Sequence, residues 1–436
     1  MIPSFRLIRL FAYGAPFWFL HALVPMGWLA PVGYLAMLGL LVLRDWHQLP
    51  RAADFSIERE LPERFSFDTE QDIALQINHS GNEPVRLVIC DELPKNLELT
   101  TSFDVLKLEP GQGVRVAYKV LPIRRGRDAF GAVSFRVSHR MGLLMRCFRI
   151  SAEDQVRVYP RFLGIDRYDL LARIDERDEA VRIPRLQRGS GSELESLRRY
   201  NSGEDLRHVD WKVSAKRGFL VSRNLQVERG QQLAVLIDAG RFMNERIGRY
   251  ARIEHALNAT VMLAYVAQKR GDSIAVASFS NKVESFLPPV KGSAIMASVL
   301  ESLYKIEPRQ VESDYWQVVA RVMDRLKRRS LMIMITDVLD LAGSSGLIRN
   351  LFRAARKHLV LCVVFVEEEI YRIADGKASD SQEAYRKAAA SHYGVERLVA
   401  LEQMRAKGIL VLETAPEHLS LSLIRKYLEI RQADLM

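Results

Sequence analysis

Hydrophobic residues follow three different patterns along this chain, and each predicts a different kind of structure. From Leu10 to Leu43 there is no Asp, Glu, Lys or Arg. At about 34 residues this stretch far exceeds the roughly 20 that one spanning helix needs. Pro25 and Gly27 interrupt it, with Pro31 just beyond, so it predicts a hairpin of two short apolar helices, Leu10–Val24 and Trp28–Leu43. From about Phe55 to Pro160, runs such as "DIALQINHSGNEPVRLVICDELP" and "FGAVSFRVSHRMGLLMRCFRI" alternate apolar and polar between Gly, Pro and Asn turn signals. Period-two strands at that spacing, with no helical stretch between them, predict a small β-sandwich. After Gln231 the runs become continuous, as in "QQLAVLIDAG", "SLMIMITDVLD", "HLVLCVVFV" and "GILVLETAP". Strands buried on both faces read this way.

Helical periodicity separates those continuous runs, over Arg246–Lys269, Ser293–Tyr304, Trp316–Arg328, Ser345–Lys357 and His418–Ile430, with a further strand at Asp272–Ser280. Strict alternation of strand and helix predicts a doubly wound α/β domain with a parallel sheet and helices on both faces. The chain then divides into an anchor (residues 1–50), a sandwich (51–160), a charged linker (161–230) and the α/β domain (231–436).

Composition agrees with several folded parts. A chain of 436 residues is too long for one core, and 48% hydrophobic with 27% charged residues describes a folded protein. The net charge is +10, from 63 Lys and Arg against 53 Asp and Glu. Arg6 and Arg9 precede the apolar stretch, and Arg44 and Arg51 follow it. Positive charge at both ends and none in the turn places both ends in the cytoplasm. A signal peptide is disfavoured, because no small-residue cleavage site closes the first run and a second run follows at once. A single long tilted helix would reverse the topology of everything downstream. Anionic lipid accounts for some of the positive charge, whereas no basic run interleaved with aromatics marks a nucleic-acid partner. Cys90, Cys147 and Cys362 lie far apart with no CxxC, and are expected to be small buried hydrophobes. His79 and His139 are expected at surface or satisfied positions.

The linker carries the densest motif. Arg185 to Arg229 read "RLQRGSGSELESLRRYNSGEDLRHVDWKVSAKRGFLVSRNLQVER", with blocks Leu197-Arg198-Arg199-Tyr200, Gly203-Glu204-Asp205-Leu206-Arg207, Val209-Asp210-Trp211-Lys212 and Ser214-Ala215-Lys216-Arg217-Gly218. These blocks resemble the uncharacterised bacterial family known as domain of unknown function 58. Arg199, Tyr200, Gly203, Asp205, Arg207, Asp210, Trp211, Lys212 and Lys216 are expected to form a structural or partner-binding ion-pair network, with Trp211 as its buried pin. Read as chemistry instead, Asp205, Asp210 and Lys212 would be two carboxylates for a metal and a lysine for a phosphate, as in a phosphodiesterase or nuclease.

In doubly wound sheets ligands sit outside the carboxyl ends of the strands. Asp238 and Asp337 fall at that edge, an arrangement that resembles the von Willebrand A (vWA) fold. Members of that fold often hold Mg²⁺ at a site beginning Asp-x-Ser-x-Ser. Here the residues are Asp238-Ala239-Gly240-Arg241-Phe242, so Gly240 and Phe242 stand where the hydroxyl ligands would be. Ser313 lies where a distant Thr is expected, and Asp337 at the second acidic position. Mg²⁺ wants six oxygens in octahedral geometry, and Asp238, Ser313 and Asp337 supply too few. The expectation is therefore no metal and no cofactor, with Arg241 or a neighbouring cation in the metal's place.

No nucleophile elbow, P-loop, GxGxxG or HExxH is present. The reading is a non-enzymatic adaptor, with no catalytic residue, held in the bacterial inner membrane by two helices with its other domains in the cytoplasm. The family resemblance implies a MoxR-type AAA+ ATPase as partner, working on the assembly or activation of other protein complexes.

Overall fold

The computed structural model describes residues 1–16, 18, 28–101, 105–162, 193–200, 209–226, 230–338, 341–366, 368–433 and 435. They form two compact units, Met1–Arg161 and Phe162–Met436.

The first unit opens with strand β1 (Ile2–Pro3), helix α1 (Phe5–Tyr13) and helix α2 (Leu29–Gln48). Helix α1 starts before the apolar stretch because the Ser4 hydroxyl caps it, accepting from Leu7 N at 3.3 Å. Helix α2 is long and apolar enough to cross a membrane. Its carboxyl end lies beyond the expected Leu43 because Asp45 is taken up inside the protein. The turn and, of the first predicted apolar helix, residues 17 and 19–24 lie outside the described residues.

A sandwich follows: β2 (Phe55–Glu60), β3 (Phe65–Ser66), β4 (Gln71–His79), β5 (Val85–Asp91), β6 (Leu97–Leu99), β7 (Leu106–Leu108), β8 (Gly113–Pro122), β9 (Gly126–Ala129), β10 (Val133–His139), β11 (Leu144–Ile150) and β12 (Gln155–Tyr159). Its sheets run β1-β11-β10-β5-β7, β2-β4-β8-β6 and β3-β12-β9. Period-two alternation puts Ile73, Leu75, Ile77, Leu87, Phe135 and Val137 inside. Phe55 joins two of the sheets, with its ring 6.0 Å from Phe135 and stacked at 4.8 Å on His79. His79 is buried with its Nε2 3.0 Å from Glu83 O, and His139 lies between Asp45 and Glu83. Cys90 and Cys147 are exposed, contrary to expectation, because the inward parity belongs to Leu87, Ile89 and Asp91 on β5 and to Leu144, Arg146 and Phe148 on β11. Only Cys362 is buried as expected, and burial pushes its thiol up to about 12.

In the second unit a hairpin of β13 (Glu193–Arg199) and β14 (Val221–Gln226) carries the short helix α3 (Trp211–Arg217). The α/β domain then runs through β15 (Gln232–Asp238), the small pair β16 (Arg246–Ile247) and β17 (Tyr250–Ala251), α4 (Arg252–Lys269), β18 (Ser273–Phe279), β19 (Val283–Lys291), α5 (Ala294–Leu303) and α6 (Tyr315–Arg325). It ends with β20 (Leu331–Ile335), α7 (Leu341–Ala355), β21 (Leu359–Phe365), α8 (Glu368–Asp375), α9 (Ser381–Ala406), β22 (Leu410–Thr414) and α10 (Leu419–Gln432). Among the described residues the six-stranded sheet has the order β19-β18-β15-β20-β21-β22. Every neighbouring pair is parallel except β18 with β19. Helices α6, α7 and α9 cover one face, where Ala234, Leu236, Met332, Met334 and Cys362 meet Val318, Leu351 and Leu401. Helices α4, α5 and α10 pack together on the other. This mostly parallel sheet fits a vWA-like fold.

The strictly parallel sheet predicted from the alternation needs one correction. Strand β19 was not expected, because Pro288 and Pro289 break its pattern. Prolines are tolerated there because β19 is an antiparallel edge strand with one unpaired side.

Candidate functional site

The chain leaves β15 for β18 on one side of the sheet and returns through β20 on the other. The strand order reverses between them, and the crevice at the carboxyl ends of β15 and β20 is the expected ligand position. Asp238 ends β15, and Thr336 and Asp337 follow β20. The structure brings Asp238, Gly240, Phe242, Ser313 and Asp337 to one edge.

Asp238 is buried and fully engaged. Its Oδ1 accepts from Gly240 N at 2.8 Å and Ser313 Oγ at 2.5 Å. Its Oδ2 accepts from Thr336 Oγ1 at 2.6 Å and Tyr315 Oη at 3.4 Å. Burial raises its pKa, and the donors from Ser313, Thr336, Gly240 and Tyr315 oppose that rise. Burial beside Asp238 also pushes the Tyr315 hydroxyl far up, so it stays protonated and available as a donor.

Asp337 meets two arginines. Arg252 Nη1 donates to Oδ2, and Arg397 Nη1 lies 3.4 Å from Oδ1. Only 1% of Arg252 and 2% of Arg397 is exposed. Arg252 also reaches Glu245 at 3.0 Å, while Arg397 donates to the carbonyls of Val338 at 2.6 Å and of Phe365. Burial alone would lower the Arg397 guanidinium, but Asp337 and Tyr393 outweigh it and the net direction is up. A neighbouring cation does stand beside the acids, as expected, but Arg241 is not that cation. Its guanidinium stacks on the Phe242 ring at 4.5 Å.

These residues do not fit a divalent cation. Both carboxylates are committed to donors within the protein, and Gly240 and Phe242 offer no hydroxyl. Among the described residues no group of three or more His, Cys, Asp or Glu could hold a metal ion. The glycine is itself explained by packing: a Cβ at position 240 would stand 2.1 Å from Ser313 Oγ and 3.0 Å from Val311 O. Ser313 therefore fills the place that a motif serine would need. Restoring that serine by Gly240→Ser is expected to destabilise the protein by about 1–3 kcal/mol through overpacking. It should confer no Mg²⁺-dependent rise in melting temperature, and Ser313→Ala should relieve much of the loss. A melting temperature that climbs with Mg²⁺ in Gly240→Ser would contradict this account.

The linker motif separates into parts. Gly203, Asp205 and Arg207 lie outside the described residues. Asp210 is the N-cap of α3, accepting from Val213 N at 3.1 Å, and Gly218 ends that helix at φ +72°. Tyr200 N donates to Leu220 O at 2.9 Å, and Arg199 stacks on Phe219 at 5.0 Å. Lys212 and Lys216 are exposed. Trp211 is no buried pin: as the first residue of α3 it points outward and is 63% exposed.

Sequence reasoning missed Arg252, Arg397, Thr336 and Tyr315. A signal existed for Arg397, which heads a buried stripe with Ala400, Leu401 and Met404 on α9 at spacings of three, four and seven. An arginine on such a stripe must find a partner inside.

Comparison with known proteins places residues 196–381 in a match to the family described as "Protein of unknown function DUF58". An uncharacterised protein of Bacillus subtilis, YeaD, is 24% identical over 192 residues, which are 44% of this chain and 46% of that protein. The chain thus spans about half the length of the curated relative it matches. Among solved structures, the conserved hypothetical protein BatB from Bacteroides thetaiotaomicron aligns over 46% of this chain and 99% of its own, at 13% identity and a TM-score of 0.32. Escherichia coli alpha-2-macroglobulin aligns over 26% of this chain and 17% of its own, at 16% identity and a TM-score of 0.22.

Proposed function

We propose that this chain is a membrane-anchored, protein-binding adaptor whose degenerate vWA-like domain performs no bond-breaking chemistry. The observation that carries the reading is the internal neutralisation of the sheet edge. Asp337 is held by Arg252 and Arg397, and Asp238 by four donors, so neither acid is left to hold a metal or act as a base. Asp210 is likewise committed to a helix cap, which weakens the phosphodiesterase alternative. What the domain offers instead is surface: Tyr385, Val395 and Leu398 of α9 and Trp316 of α6 are large, apolar and exposed.

The anchor reading is a two-helix hairpin with both ends in the cytoplasm. It is supported by the convergence of both ends of the apolar segment on one loop: Ser4 Oγ reaches Gly142 O at 2.5 Å, and Asp45 accepts from Leu143 N at 3.0 Å. The partner of choice is a MoxR-type AAA+ ATPase, an expectation that comes with the family resemblance.

Affinity purification of the full chain from native membranes tests the reading. A co-eluting AAA+ ATPase, with recovery reduced by Tyr385→Glu and Leu398→Glu, is the expected result. Metal-dependent cleavage of nucleic acid by the purified protein, abolished in Asp210→Ala, would replace this function with the phosphodiesterase one.

A further inference from the structure

The first unit has an end that its own charges leave uncompensated. Strands β1, β11, β10, β5 and β7 share one row of paired residues, Ile2–Met145–Ser138–Arg86–Lys107. At about 4.8 Å per strand, that row carries Lys107 roughly 20 Å sideways from the point where the chain enters the anchor. Arg140, immediately after β10, lies at the same end. Between these residues runs a groove of about 380 Å³, with Arg86, Lys107 and Arg140 as its cations, Glu109 as its one acid, and Pro84 and Leu108 as apolar lining. Among the described residues, none of the three side chains has a carboxylate within 4.0 Å. Among the described residues the side chains of Arg9, Arg44 and Arg51, which flank the apolar helices, also have none, although the Asp54 carboxylate accepts from Arg51 N at 2.6 Å. Some cations elsewhere in the unit, Arg59, Arg115, Lys119, Arg149 and Arg161 among them, do have an acid partner, while Arg127 pairs with the neutral Gln155.

The same end is fastened to the anchor. Ser4 N donates to Leu143 O at 2.9 Å, and Arg6 Nη1 to Met141 O at 3.3 Å. Asp45 takes the amides of Leu143 and Leu144, and Arg146 Nη1 donates to Leu49 O and Pro50 O at 3.0 and 2.9 Å. Wherever the apolar helices sit, the row of cations sits beside their ends.

We propose that the groove formed by Arg86, Lys107 and Arg140 binds the anionic headgroups of phospholipids in the bilayer that the anchor enters. The proposal rests on the anchor reading. Phosphodiesters supply the anionic oxygens that guanidinium and ammonium groups lack here. A bilayer surface holds those anions at high local concentration next to the tethered groove, where each added cation strengthens attraction. Headgroups level with the helix ends would meet Arg86, Lys107 and Arg140 together.

The test uses the full chain. Its presence in carbonate-washed membranes checks the anchor alone, and a chain that washes off overturns that reading and this one with it. For the chain extracted in detergent, co-purifying phospholipid is identified by mass spectrometry, and retention of phosphatidylglycerol is compared with that of phosphatidylcholine. The wild-type chain is expected to prefer phosphatidylglycerol. Arg86→Gln/Lys107→Gln/Arg140→Gln should lose that preference by about tenfold or more, with membrane insertion unchanged. Arg86→Lys/Arg140→Lys, which keeps the charge, should retain it and guards against a folding defect in the triple variant. Equal retention of both lipids, an unchanged preference in the triple variant, displacement of the lipid by inorganic phosphate, or tighter binding of a single-stranded oligonucleotide to the same residues would each overturn the proposal.

Discussion

Asp337→Asn is expected to destabilise the carboxyl-terminal domain by about 3–5 kcal/mol, the largest effect of any single side-chain change at the sheet edge. The carboxylate is the shared counter-ion of Arg252 and Arg397, two of the largest fully buried side chains described. Removing its charge strands two guanidiniums. Of its acid partners Arg252 would keep Glu245, whose side chain is more than half exposed and therefore screened, along with the Phe242 carbonyl at 3.5 Å. Arg397 would keep the Val338 and Phe365 carbonyls, which offset part of its desolvation and none of its charge. Urea denaturation monitored by a helical signal reads the loss directly. The companion variant Arg252→Met/Asp337→Leu/Arg397→Met, which replaces the whole ionic set by apolar groups of similar size, should recover most of it, since buried ionic clusters are often matched by good packing. If Asp337→Asn lost less than about 1 kcal/mol, the cluster would be solvated in practice and the sheet edge open after all.

That prediction rests on residues whose partnership could not be read along the chain. The parallel part of the sheet was legible and the edge strand β19 was not, because strands buried on both faces have to be continuous apolar runs; β15, β20 and β21 are such strands, and the edge strand β22 lies in a segment that reads the same way. The sandwich was legible for the complementary reason, its alternation. The same alternation also contained the correct placement of Cys90: with Leu87, Ile89 and Asp91 inside, its parity points outward. The acids of the edge were visible because each ends or follows a strand. Their partners were not, since Arg252 and Arg397 are 85 and 60 residues from Asp337 and are brought there only by the packing of α4 and α9 on opposite faces of the sheet. Trp211 failed for a different reason. A large aromatic is usually buried, but a seven-residue helix on a two-stranded hairpin has little interior to offer it.

The junction of the apolar helix α2 with the sandwich gives the second large effect, and it depends on one carboxylate in an unusual place. Asp45 lies three residues from the end of α2 and has no solvent exposure. Both amides it serves, Leu143 N at 3.0 Å and Leu144 N at 2.8 Å, donate to the same oxygen, Oδ2. The other oxygen, Oδ1, faces His139 Nδ1 at 3.5 Å. Asp45→Ala leaves two buried amides without an acceptor, each worth about 1–3 kcal/mol, so a loss of about 2–4 kcal/mol is expected in thermal or chemical unfolding of the detergent-purified chain. Asp45→Asn behaves differently. Its amide oxygen can take the position of Oδ2 and keep both bonds, while its NH₂ group turns toward His139, so most of the stability should survive. On the proposed anchor reading, both variants should remain in washed membranes, since the apolar length of α2 is unchanged. Limited proteolysis should cut the loop around Met141 faster in the alanine variant alone, because that loop is where helix and sandwich are joined. Equal losses in the alanine and asparagine variants would mean that charge, and not the pair of amide bonds, fastens the helix to the sandwich.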